Sequence, residues 1–413
     1  MYKLSHWLTI VLAALLPWHG AITVFLPEPF RWWKEGIILL LIGLVLWSEW
    51  RAAESGKKFK FTIAEFCALG FIILGGALAA TSTDVPTASI AMRYLSLPLL
   101  MYFIWSIWFQ NPKNSRIKHL ELFAQVFIPS CLLATAFGFW ITNLGGADLV
   151  QNFYSTTISS WVPGQAIPLW HEINGIARLQ GASSGPIEFS HLLIAALALV
   201  PLLKRGSIQS SILVLVLVAG IGLSASRAAL LGAIIILAWW GWKALPPKIS
   251  RKEVALTGIL LGILGLLFVG TQTTVLQRAG TNEHFTRPIA AFVAGTDNLI
   301  QGHIGQWGPA ARGKNLAEHN SDQAPIAENV FADWWVQLGI LGLAFGLGWF
   351  VAVLTGLSSY GIGFGIATIV LVNFATVFDM TPIALTWGTI LAMWQRDEKI
   401  KKVKKVTKKK TKK

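Results

Sequence analysis

Four short stretches of this chain set ionisable side chains against the ends of long apolar runs, where a charge is costly and a functional role is the default expectation. The first, RLQGASSGPIE at 178–188, holds Arg178 above a turn shaped by Gly181, Gly185 and Pro186 that leads into an apolar segment. A helix N-terminus beside an arginine makes an anion site; a plain loop-to-helix turn with a solvated arginine is the alternative. The second, SASRAALL at 224–231, is a hairpin between two apolar runs with almost no loop, which pins Arg227 at a membrane surface. Snorkelling of the side chain is the simpler account. The third contains Arg278, Arg287 and the Gly-rich run GHIGQWGPA at 302–310, in which His303 lies and whose backbone is small enough to approach a ligand. A surface loop has the same composition. The fourth, PIAENVFADWWVQLGILG at 325–342, sets Glu328 and Asn329 at the start of a late helix, with Glu328 and Trp335 seven apart on one face. An acidic first helical turn explains it without chemistry.

Other chemistries lack their residues. No Cys/His cluster with zinc spacing, no Gly-x-Ser-x-Gly and no nucleotide-binding loop occurs, and no Asp-x-Asp lies in the first loop around Arg31 and Lys34. No metal and no cofactor is therefore expected. Cys67 and Cys131 stand in separate apolar runs, and the eight histidines are scattered.

The elements that position these residues are membrane helices. Of 413 residues, 54% are hydrophobic and 13% charged, and the mean hydropathy is +0.58. Soluble domains carry roughly 25% charged residues, so lipid must be part of this chain's solvent. Runs long enough to span a bilayer fall near 7–26, 32–50, 61–80, 90–109, 122–144, 187–203, 209–225, 228–244, 254–271, 330–356, 360–377 and 380–395. The expected fold is all-α, a polytopic membrane protein with about 12 transmembrane helices and a large external loop before the late helices.

Charge sets the orientation. Alternate connections hold 25 of the 34 Lys and Arg on one side and nine on the other, although the second side has much the longer loops. The richer side is read as cytoplasmic and includes both termini. Eleven of these basic residues lie in 396–413, a low-complexity tail expected to be disordered and to sit near anionic headgroups. The formal charge of +14 therefore points to a lipid surface, not to nucleic acid. The long polar segments, about 145–186 and 272–329, fall outside, and residues 1–395 read as one membrane domain.

Taken in order, the four stretches resemble the O-antigen ligase / Wzy-type polymerase superfamily. The resemblance rests on Arg178, Gly181, Gly185 and Pro186, then SASRAALL, then GHIGQWGPA, then Glu328-Asn329 with QLGILG at 337–342. It implies transfer of a glycan from an undecaprenyl-diphosphate donor to an acceptor hydroxyl at the external face of a bacterial cytoplasmic membrane, without metal or nucleotide. It also implies catalytic roles for Arg227, Arg287 and Glu328, and substrate binding by Arg178, Arg278, His303 and Asn329. Glu328 stands where the family's ligases have a histidine, which leans the resemblance toward the polymerases. Its partners are then the lipid-linked donor, the glycan acceptor, the bilayer and a chain-length regulator. The chemistry is coherent: arginine forks stabilise a leaving diphosphate, and a carboxylate at a partly dry edge can take the acceptor's proton. Phe153, Tyr154, Trp161 and Trp170 could stack on sugars, although membrane-interface anchoring also explains them. Transfer of the glycan to a lipid or protein acceptor is the alternative. A polysaccharide or lipid transporter is the second, and no paired broken helices or repeated halves favour it in the sequence.

Overall fold

The computed structural model describes residues 2–25, 32–54, 61–111, 114–146, 149, 172–173, 176–244, 283–319, 324–359, 361–374 and 377–396. The expected span near 254–271, most of the loop 145–186, Arg278 and the tail beyond Arg396 lie outside these residues.

The described chain is helical apart from one antiparallel pairing of two-residue strands, Glu172–Ile173 (β1) with Ile176–Ala177 (β2). The helices are α1 (Tyr2–Leu15), α2 (His19–Phe25), α3 (Trp33–Glu54), α4 (Ile63–Ala80), α5 (Val85–Trp108), α6 (Arg116–Phe139) and α7 (Pro186–Leu199). They continue as α8 (Ser207–Leu223), α9 (Arg227–Ala244), α10 (Glu283–Thr296), α11 (Gly308–His319), α12 (Val330–Gly356), α13 (Ile362–Phe374) and α14 (Thr381–Met393). Among the described residues, seven segments are long and apolar enough to cross a membrane: Lys3–Thr23, Ile63–Ala80, Val85–Trp108, Arg116–Thr142, Pro186–Leu203, Arg227–Ala244 and Val330–Gly356. Ser207–Leu223, Ile362–Asn373 and Thr381–Met393 are shorter apolar helices. The segment expected as external loop before α12 contains two helices, α10 and α11.

Helices α7 and α14 form the centre. Every residue of α14 is buried, and on α7 only Ile187 is not. Peripheral helices expose large apolar side chains, among them Ile63, Ile73, Ile208 and Leu215. Helices apolar on all faces, packed on one side and bare on the other, fit a lipid environment.

Polar groups mark the two ends. At one end Arg116 donates to Ala392 O (2.9 Å) and Arg396 to Leu357 O (2.6 Å), satisfying carbonyls at helix C-termini. Near that end Thr62 and Glu65 form a capping box on α4, and Glu65 also accepts hydrogen bonds from Ser106 Oγ (2.5 Å) and Gln110 Nε2 (3.0 Å) on and just after α5. The opposite end gathers the turns at 178–186, 222–227 and 299–308 and the start of α12.

Candidate active site

Helix α12 is interrupted at Gly339, whose φ of 66° lies in the left-handed region. An interruption inside an apolar layer frees backbone groups that must find partners within the protein. The turn at 299–303 supplies them: His303 N donates to Val336 O (2.7 Å), and Ile340 N donates to Leu299 O (2.8 Å). Such contact needs missing side chains on both strands of backbone. A Cβ at Gly302 (φ 64°) would lie 2.5 Å from Gln337 C, and one at Gly339 would lie 2.5 Å from Leu299 O.

The Gly-rich run expected to approach a ligand is therefore pressed onto the protein's own α12. Gly305 N also donates to Gln337 Oε1 (3.3 Å), while Gln337 Nε2 donates to Asp333 Oδ1 (2.8 Å), which buries Asp333. His303 sets Nε2 3.2 Å from Ala294 O, so its ring joins this turn to α10. The same region is tied to α5 by Lys314 Nζ and Asp84 Oδ2, 2.7 Å apart. The hydrogen bond from Lys314, with that from the Thr87 N–H, holds the Asp84 carboxyl down at about 2, and Asp84 raises Lys314 in return.

Asn329 is the N-cap of α12: its Oδ1 accepts from Phe331 N (2.9 Å) and Ala332 N (3.0 Å). Its Nδ2 donates to Asn373 Oδ1 (3.1 Å) at the end of α13. Both ends of the amide are thus engaged by protein groups. Glu328 precedes the cap, outside the helix, with φ at 51°. The expectation that it shares a helical face with Trp335 therefore fails, because helical periodicity begins only after Asn329. Trp335 instead donates through Nε1 to Phe292 O (2.9 Å) on α10. A glutamate held in the left-handed region stores strain, a feature frequent at functional sites.

The carboxylate of Glu328 forms an ion pair with Arg287 of α10. Their side chains are 15% and 38% exposed, so the pair stands at the border between protein and solvent. These two residues, 41 apart in sequence, are brought together by the packing of α10 along the first half of α12.

Arg178 and the hairpin before Arg227 come together at a second turn. Arg178 Nε donates to Ser224 O (2.8 Å) and Leu179 N to Leu223 O (3.0 Å), fastening the 178–186 turn to the hairpin that ends at Arg227. Ala225 turns that hairpin with φ at 51°. Helix α9 runs antiparallel to α13: a Cβ at Gly232 would touch Leu371 at 3.3 Å, and Trp239 Nε1 donates to Ser359 O (3.2 Å). Arg227 is five residues before Gly232, about 7 Å further along the axis, toward the Asn373 end of α13. All four stretches thus converge on one end of the bundle.

Four residues with chemical potential carry no assignment from the sequence. Asp333 looked like an ordinary first-turn acid, Asn373 sat unremarked in an apolar run, and the Asp84–Lys314 pair spans 230 residues. A polar group inside an apolar segment was a usable signal for Asn373 and for Asp333; no local signal marks the Asp84–Lys314 pair. Among the described residues, no group of three or more His, Cys, Asp and Glu could hold a metal ion. What the site offers is a guanidinium beside a carboxylate, with two further guanidinium groups at the same end. No protein-family model matches the chain, and no curated protein matches it.

Proposed function

We propose that this chain is a membrane glycosyltransferase that polymerises undecaprenyl-diphosphate-linked oligosaccharide repeats, as members of the superfamily its motifs resemble do. The observation that carries the reading is the Arg287–Glu328 pair at the start of the interrupted helix α12. It joins an anion-binding fork and a proton acceptor, the two functions required when a diphosphate leaves and a hydroxyl attacks.

In this reaction the acceptor hydroxyl oxygen forms a bond to the anomeric carbon of the donor sugar. The bond from that carbon to the phosphate oxygen breaks, and the undecaprenyl diphosphate departs with the electron pair. Attack opposite the leaving group inverts the anomeric centre. Arg287 and Arg227 stabilise the diphosphate, and Glu328 takes the hydroxyl proton. Arg178 holds the Ser224 hairpin that presents Arg227. An arriving diphosphate competes with Glu328 for Arg287, so donor binding frees the carboxylate for the proton. Asn329 and His303 act through position, one capping α12 and the other anchoring the turn beside Gly339. Arg278 remains assigned to the donor on the resemblance alone.

The same proposal includes twelve spans in a bacterial cytoplasmic membrane, with both termini in the cytoplasm. Its support is the distribution of basic residues together with the seven long and three shorter apolar helices among the described residues. The test is turnover of an undecaprenyl-diphosphate oligosaccharide by the purified chain with EDTA present. Lengthening of the lipid-linked glycan is the expected result. Transfer to a different lipid or to protein would instead favour the ligase alternative. Loss of turnover on chelation, restored by Mg²⁺ or Mn²⁺, would refute the arginine-based mechanism. Movement of intact lipid-linked glycan across the bilayer without any transfer would favour a transporter.

A further inference from the structure

Helix α10 carries its side chains inverted for a helix in a water-exposed loop. Its inner edge is small: Ala291 is buried with Ala327, Ala332 and Val336, and a Cβ at Gly295 would strike the Trp335 ring. Its outer edge is large and apolar. Ile289, Phe292 and Val293 are exposed there, and Leu299 and Ile300 continue the edge through the turn that follows. Ile300, the most open of the five, is 68% exposed. From Pro288 to Thr296 the helix holds no charged residue. A continuous run of large exposed apolar side chains marks a surface that something apolar covers.

The position of this edge names the cover. Helix α10 descends beside α12: Arg287 meets Glu328, Phe292 O accepts from Trp335 Nε1, and Leu299 O accepts from Ile340 N. The outer edge therefore runs into Ile340 and Leu341, which are exposed on the second half of α12. Helix α12 in turn packs on α4, whose Ile73 is exposed. Depth follows from α4 and α5, two spans joined by the short connection 81–84. A Cβ at Gly75 would lie 3.6 Å from Leu338, and one at Gly305 would lie 3.0 Å from Ala88 N. Gly75 precedes the end of α4 at Ala80 by about 7–8 Å along the axis. The turn at 299–305 thus sits inside the ends of these spans, not beyond them. Asp297, exposed on the same turn, limits the depth to the border between hydrocarbon and headgroups.

We propose that α10 and the turn after it form an interfacial element that dips into the outer leaflet, with lipid hydrocarbon covering the edge from Ile289 to Ile300. Helices of this kind sink an apolar face about 5–10 Å into the boundary between headgroups and acyl chains, which matches the depth set by Gly75. The element holds the Arg287–Glu328 pair, at its upper end, near the level of the headgroups. It rests on the membrane placement of the chain and not on glycosyl transfer.

The test is spin-label accessibility in vesicles of phosphatidylethanolamine and phosphatidylglycerol. It uses the full chain carrying Cys67→Ala and Cys131→Ala, with Ile289→Cys, Val293→Cys or Ile300→Cys added singly. Oxygen should relax all three labels more than a water-soluble nickel complex does. The bias should grow from 289 to 300, where the label should lie about 5–10 Å below the phosphates. Gly313→Cys on α11, where an added Cβ meets open space, should show the reverse, and Ile73→Cys should show the lipid pattern. If the cysteine-free chain does not fold, benzoylphenylalanine in place of Ile300 in the otherwise unchanged chain should crosslink to lipid; crosslinking to protein alone would overturn the proposal. A label at 300 that nickel reaches as readily as the one at 313 would also overturn it, while a lipid pattern at 73 would leave the spans standing. A label at 300 that neither reagent reaches would mean that a second copy of the chain, or its segment 254–271, covers the edge, and the proposal would fall. A water pattern at 73 would remove the membrane placement, and this element with it.

Discussion

Replacing Glu328 by glutamine removes one charge from the Arg287 pair and leaves the backbone strain in place; replacing it by glycine removes both. Fully exposed ion pairs contribute about 0–1 kcal/mol, and breaking a fully buried one costs about 3–5 kcal/mol. At 15% and 38% exposure, discounted for solvent screening at Arg287, a coupling of about 1–2 kcal/mol is expected. The left-handed backbone at φ 51° costs a non-glycine residue about 1–2 kcal/mol, which glycine regains in part. Glu328→Gln should therefore unfold about 1–2 kcal/mol more easily than the wild type, whereas Glu328→Gly should fall within about 1 kcal/mol of it. Activity should rank differently. Both variants lose the proton acceptor, and turnover should drop about 10²–10⁴-fold in each. The assay is detergent-titrated unfolding of purified variants, with donor turnover and donor affinity measured on the same preparations. An Arg287/Glu328 double-mutant cycle reads the coupling directly. Near-wild-type turnover in Glu328→Gly would remove the carboxylate from the chemistry. Additivity of the two single substitutions would show that the pair is energetically idle.

Three other expectations are independent of that pair. Gly302→Ala introduces a Cβ 2.5 Å from the Gln337 backbone at a φ of 64°, and should cost more than about 2 kcal/mol; unchanged unfolding would mean that the 299–303 turn does not brace α12. The Asp84 carboxyl is depressed to about 2, so its contribution is complete above its unfolded value near 3.9 and fades as pH falls toward 2. Protease nicking around α11 should then rise below about pH 4, and Asp84→Asn should show that faster nicking already at neutral pH. An acid response identical in Asp84→Asn would refute this. Finally, single cysteines at Gly56 and Thr407 should be shielded from an impermeant external thiol reagent while one at Asn315 reacts; labelling at 407 in intact cells would reverse the orientation.

The membrane character and the helix positions were legible in the chain because apolar length is a local property. Spans marked near 61–80, 228–244 and 330–356 appear as Ile63–Ala80, Arg227–Ala244 and Val330–Gly356, since about twenty apolar residues have no other solvent than lipid or a buried core. The four chemical stretches were also visible, as charges and glycines at the ends of those runs. What each residue does with its neighbours was not. Sequence could not show that Gly302 and Gly339 face each other, because backbone apposition across 37 residues leaves no periodic trace. Nor could it pair Arg287 with Glu328, or commit Asn329 to Asn373, since those partners come from the packing of α10 and α13 against the start of α12. The Gly-rich run illustrates the division: composition determined that its backbone could come close to something, and only tertiary structure decided that the something is the protein's own interrupted helix, whose freed carbonyl and amide groups have no water to turn to.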